Sequence, residues 1–165
     1  MTEPWIENFA QRLLQAGIAT ADTLKGCSGA EIADIEATFK VRLPRTYVDY
    51  LKRMGKEAGE FIGECSRTVD GFAENRYTAD LLLKEVNLKL PETAFVFVES
   101  YGCQFFFFDT ADGKDDPPVY RYSEGERKPV KISDTFTRAL EMALEDQLMD
   151  RNPDTSVDRP YQFSV

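Results

Sequence analysis

Four aspartates crowd one short stretch of this chain. Asp109, Asp112, Asp115 and Asp116 lie between an apolar run ending at Phe108 and two prolines, Pro117 and Pro118. Carboxylates at this spacing are raw material for a divalent-cation site, for carboxylate acid–base chemistry, or for an acidic knob that docks on arginines and lysines. The cation-loop pattern fails: aligning Gly113 with the loop's obligatory glycine puts Phe108 at the first ligand and Val119 at the bidentate acid. A hairpin turned by Asp112-Gly113 is the simpler reading. Asp109 and Asp116 remain a formal pair for a carboxylate-based hydrolase, but no base or metal shell accompanies them. The docking reading extends to Tyr120 and Tyr122, which share one strand face while Arg121 points opposite, and to Glu124 and Glu126, which flank Gly125 in the next turn. Tyr101 offers the same stiff, amphipathic area. Each has a plainer alternative: partial burial in the core for the tyrosines, a solvated loop for the glutamates.

Composition narrows the chemistry. The chain has no histidine, which removes the commonest general base, the usual partner of a Ser or Cys nucleophile and the commonest zinc ligand. The absence makes an enzyme less expected but leaves open chemistry by carboxylates, lysine or a carboxylate-bound magnesium; no metal or cofactor is expected. Cys27, Cys65 and Cys103 are odd in number and widely spaced, which argues against a disulfide framework and suits a reducing cytoplasm; each reads as an inert thiol. The net charge is −9, and it is lopsided. Residues 1–90 carry 14 acidic and 12 basic side chains, net −2; residues 91–165 carry 15 and 8, net −7. Such a surface repels phosphate backbones and attracts basic proteins, although ordinary solubility accounts for the same composition. No apolar run approaches the roughly 20 residues that span a bilayer, and Met1 to Leu14 lacks a signal-peptide core.

The elements that must position these residues follow from periodicity. Trp5, Phe9 and Leu13 mark one face of an N-terminal helix ending near Gly17. Ser28 and Glu31 form a capping box, followed by a stripe of Ile32, Ile35 and Phe39. Leu43-Pro44 breaks that helix and opens another, with proline at its first position, Tyr47, Tyr50, Leu51 and Met54 on its face, and Gly55 as its C′ residue. Residues 55–91 carry weak signals, with a short helix over 78–84. Then the period falls to two: Ala94–Val98, Cys103–Asp109, Val119–Tyr122 and Pro129–Ile132 read as strands of an antiparallel meander. Phe105 to Phe108 shows no polar alternation, so that strand is expected at the centre, buried on both faces. Ser133 or Asp134 caps a last helix bearing Phe136, Leu140, Ala143 and Leu144. The tail after Asp150 is either loose or laid back as a strand.

With these elements in order, GCSGAEIADIEATFKVRLPRTYVDYLKRMG resembles the opening signature of the SUKH superfamily, the cell-wall-assembly-regulator and bacterial immunity-protein family. The residues that carry the likeness are Glu31, Ile32, Phe39, Leu43, Pro44, Tyr47, Leu51 and Gly55. YGCQFFFFD, DDPPVYRYSEGE and the helix start at Ser133 to Phe136 extend it, to about residues 25–145. One departure is Met54-Gly55 where the family often has Asn-Gly. The resemblance implies an α+β fold, with helices around a single antiparallel sheet of about four to six strands. It divides the chain into an N-terminal helix (1–24), a SUKH-like domain (25–148) and a tail (149–165). It also implies a non-enzymatic role: an immunity protein that binds and neutralises a polymorphic toxin, such as a nuclease or deaminase with a basic cleft. A regulatory scaffold, as among eukaryotic relatives, is the alternative.

Overall fold

A computed structural model describes residues 3–62 and 69–152. Helix α1 (Pro4–Gln15) buries Ile6, Phe9, Ala10 and Leu13 at three- and four-residue spacing. Helices α2 (Gly29–Phe39) and α3 (Arg45–Met54) meet at the Leu-Pro corner. The α2 capping box is formed on both sides: the Glu31 N–H donates to Ser28 Oγ at 3.3 Å, and the Ser28 N–H donates to Glu31 Oε2 at 2.8 Å. Glu36 closes the corner, its carbonyl accepting from the Val41 N–H and its carboxylate from the Leu43 N–H.

Strands β3 (Ala94–Ser100), β4 (Gln104–Asp109), β5 (Val119–Ser123) and β6 (Val130–Ser133) form an antiparallel meander in sequence order. As expected from its unbroken apolar run, β4 is central and all four phenylalanines are buried. Alternate residues serve two cores. Phe106 and Phe108 join the larger one, built with α1, α2, α3 and α5 (Phe136–Asp150). Phe105, Phe107 and Tyr122 join a smaller one closed by α4 (Val69–Glu85). A bulge between Val96 and Val98 lets Phe97 and Val98 both face the larger core. Tyr47 is the hub of that core, its ring 5.1–5.9 Å from those of Phe95, Phe97, Phe108 and Phe136.

Several local expectations need correction. Pro44 is the N-cap of α3 rather than its first helical residue, in extended backbone at φ −56°, ψ 144°. Gly55 ends that helix at φ −67°, not in the left-handed region. Thr135, not Ser133 or Asp134, caps α5 by accepting from the Arg138 N–H at 3.1 Å. The short helix expected over 78–84 is the end of a 17-residue helix, whose buried positions Phe72, Asn75, Ala79, Leu82 and Leu83 were masked by Gly71 and intervening polar residues. This helix also covers the outer edge of β3: Asn75 donates to the Val96 carbonyl, and the Arg76 guanidinium donates to the carbonyls of Leu90, Pro91 and Ala94. A two-stranded ribbon of β1 (Leu24–Lys25) and β2 (Glu57–Ala58) had no sequence signal. The expected thiol at Cys65 and most of the C-terminal tail lie outside the described residues.

Candidate partner-binding surface

The acidic side chains singled out in the sequence do not form one patch. Asp109, Asp112, Asp115 and Asp116 belong to the β4–β5 connection, whereas Glu124 and Glu126 follow β5 at the opposite end of the sheet. The six residues of β4 separate the two groups by about 17 Å at 3.3 Å per residue. Each group therefore has its own geometry and its own use.

At the first end, Asp109 closes β4 and turns its carboxylate back on the Ala111 N–H at 3.0 Å, an Asx turn that starts the loop. Gly113 takes φ +63°, the left-handed conformation that lets the chain reverse there. Asp112 and Asp115 are exposed. Lys114 hydrogen-bonds the Asp112 carboxylate at 3.0 Å and holds its pKa below the ordinary value. Asp115 is anchored by its backbone: its carbonyl accepts from the N–H and the hydroxyl of Thr46, at 3.0 and 2.9 Å, which leaves the side chain outside. Asp116 behaves differently. Its carboxylate accepts from the Thr137 N–H at 3.0 Å, from the Thr137 hydroxyl at 2.6 Å and from the Thr46 hydroxyl at 3.3 Å. Thr46 and Thr137 stand in the first turns of α3 and α5; this aspartate satisfies the free N–H at the start of α5, whereas the Thr46 N–H goes to the Asp115 carbonyl and the Thr46 hydroxyl shares its one proton between that carbonyl and Asp116. It secures the loop; it is not displayed.

At the second end, Glu126 is also committed. Its carboxylate pairs with Arg121 and accepts from the Ser123 N–H at 2.8 Å, closing the turn after β5. Glu124 is exposed, with its backbone N–H on the Cys103 carbonyl at 2.7 Å. Tyr120 and Tyr122 do share a strand face, but it is the face of the smaller core. Tyr122 is 2% exposed, against Phe105 at 5.5 Å, and Tyr120 is half-buried, stacked on Phe107 at 5.4 Å. Burial, with the carboxylates of Glu85, Glu126 and Glu124 nearby, pushes the Tyr122 hydroxyl pKa up. Tyr101, by contrast, stands 74% exposed in the β3–β4 turn. Of the residues the sequence nominated, Asp112, Asp115 and Glu124 are the openly exposed acids; Asp109 is half-buried at the loop's base.

At the end of α3, Arg53 pairs with Glu7 at 3.1 Å, and just beyond it Lys56 pairs with Glu31 at 2.7 Å. Cys27 is buried, its N–H on the Leu51 carbonyl at 2.7 Å; burial first, and then Glu31, raise its thiol pKa, the environment of an inert cysteine.

The sequence model of the SMI1 / KNR4 family (SUKH-1) matches residues 26–142, which spans the capping box, the Leu-Pro corner, the whole meander and the start of α5. The chain belongs to the SUKH-1 family. No curated protein sequence matches it. In this SUKH-1 chain, α1 precedes the matched region yet packs into the same core, through Ile6, Phe9 and Leu13 and through Trp5 Nε1, which donates to Asp49 at 3.1 Å. The loop bearing Asp112 and Asp115 lies inside the matched region. No helix among the described residues is long and apolar enough to cross a membrane.

Proposed function

We propose that this SUKH-1 domain is an immunity-type protein that neutralises a cognate polymorphic toxin in the cytoplasm by direct, non-enzymatic binding. The observation that carries the reading is the β4–β5 loop, a stapled and therefore pre-organised platform that presents the Asp112 and Asp115 carboxylates to solvent on a chain of net charge −9. A toxin that grips nucleic acid needs a basic cleft, and such a loop steers toward it and pairs with its arginines and lysines. A rigid loop loses little conformational entropy on docking, which favours affinity. Family membership supports a protein-binding role. The hydrolase reading loses support because the Asp116 carboxylate is already occupied by Thr46 and Thr137.

The test is co-expression with the C-terminal toxin domain encoded beside this gene. The expected result is restored growth and a co-purifying complex; no rescue and no complex would overturn the proposal. A regulatory scaffold is the second reading, consistent with the same family membership. A gene neighbourhood without a toxin, together with recovery of signalling proteins in a pull-down, would favour it.

A further inference from the structure

At the base of the acidic loop lies a concave site of different character. Arg42, Leu43 and Pro44 of the α2–α3 corner and Thr110, Gly113, Lys114 and Asp115 of the β4–β5 connection enclose a cleft of about 240 Å3. Both walls are fixed. Glu36 holds the backbone of Val41 and Leu43 on one side, and Thr46 holds the Asp115 carbonyl on the other. The volume falls below that of drug-sized pockets and suits a small ligand.

Arg42 is the decisive residue. Most described arginines hold a carboxylate, as Arg45 holds Glu3 and Arg53 holds Glu7. Arg42 is exposed and has no hydrogen-bond or ion-pair partner among the described residues. In a chain with 29 acidic against 20 basic side chains, an arginine in the wall of a cleft with no acidic partner among the described residues is available to an incoming anion. Its planar fork of N–H donors matches the oxygens of a carboxylate or phosphate. Lys114 supplies a second cation. Its bond to Asp112 is a surface pair, both side chains more than half exposed, and such pairs contribute little, so an incoming anion can recruit it. Asp115 is the opposing charge in the wall, although its field also falls on Arg45 outside the cleft.

We infer that this cleft is an oxyanion site, which seats the carboxylate or phosphate group of a small molecule between Arg42 and Lys114, over Leu43 and Pro44. The cleft shares Lys114 and Asp115 with the docking loop, but its test needs no partner protein. The measurement is an NMR titration of the full chain, at constant ionic strength, with inorganic phosphate in one series and citrate in another. Saturable shifts centred on Arg42, Thr110, Gly113 and Lys114 are expected, and the series with the tighter response identifies the preferred group. Arg42→Ala should weaken binding about tenfold, the effect of losing a charge-assisted hydrogen bond. Asp115→Asn, which keeps the carbonyl that Thr46 needs, should tighten it by about two- to fivefold through lost repulsion. A structural role for either residue would not produce these opposite signs. Absence of saturation at tens of millimolar (about the weak limit for such a site), shifts scattered over exposed lysines, or an unchanged titration in Arg42→Ala would overturn the inference.

Discussion

The Asp116 carboxylate takes both the backbone N–H and the hydroxyl of Thr137, at 3.0 and 2.6 Å, and so ties the β4–β5 loop to the first turn of α5. One of its oxygens also meets the Thr46 hydroxyl at the start of α3. Asp116→Ala is therefore expected to destabilise the fold by about 1–2 kcal/mol, the range of a lost helix cap. Asp112→Ala, at an exposed position of the same loop, should stay within about 0.5 kcal/mol of the parent. Urea denaturation of the two variants side by side checks this; equal midpoints would show that Asp116 is not a staple.

Charge reversal at the two displayed acids tests docking without damaging the scaffold. Asp112→Lys combined with Asp115→Lys should slow association with the cognate toxin by about tenfold or more at low salt and leave the thermal midpoint nearly unchanged. The loss should shrink as salt screens the interaction. Surface plasmon resonance across a salt series is the measurement. Unchanged rates would move the interface elsewhere on the protein.

Gly26 lies where β1 passes the end of α3, and a Cβ there would overlap the Lys52 carbonyl. Backbone cannot swing aside as a flexible side chain does. Gly26→Ala is expected to cost about 1–3 kcal/mol, the usual range for overpacking, or more if the Cys27–Leu51 hydrogen bond is lost with it. A parent-like denaturation midpoint would contradict the close approach.

Glu31 links folding to pH. The Lys56 ammonium, followed by the N–H and hydroxyl of Ser28, lowers its pKa from 4.5 to about 2. The folded protein thus holds this proton less tightly than the unfolded chain. The resulting stabilisation is present above pH 4.5 and is lost as the pH falls toward 2. Glu31→Gln should be less stable than the parent at neutral pH, and the gap should close across that window; a gap independent of pH would refute the assignment. Since the pair is solvent-exposed, added salt should narrow the difference at neutral pH.

Much of the architecture was legible because its signals are local. The Ser28–Glu31 box, the Leu43-Pro44 break, the strand periodicity and the centrality of Phe105–Phe108 each depend on residues close in sequence, and each appears in the structure. Helix α4 was legible only in part. Its first half is anchored by Phe72 and Asn75, whose burial depends on packing against distant partners such as Phe39, Phe95 and the Val96 carbonyl. The β1–β2 ribbon is too short to have a period at all.

The candidate site was legible in its composition but not in its arrangement. Sequence alone determined that the second half of the chain is acidic, that no histidine is available for catalysis, and that a hairpin would carry four aspartates. Which carboxylates reach solvent was decided by the tertiary structure: Asp116 faces Thr46 and Thr137, 70 and 21 residues away, while Asp112 and Asp115 face outward. The same holds for Tyr122, whose sequence context fits an interface anchor and a core residue alike and which folding buries against Phe105. Composition and local spacing set what a side chain is able to do. Its freedom to do it depends on the donors and rings that folding brings from elsewhere in the chain, and no short-range pattern encodes their positions.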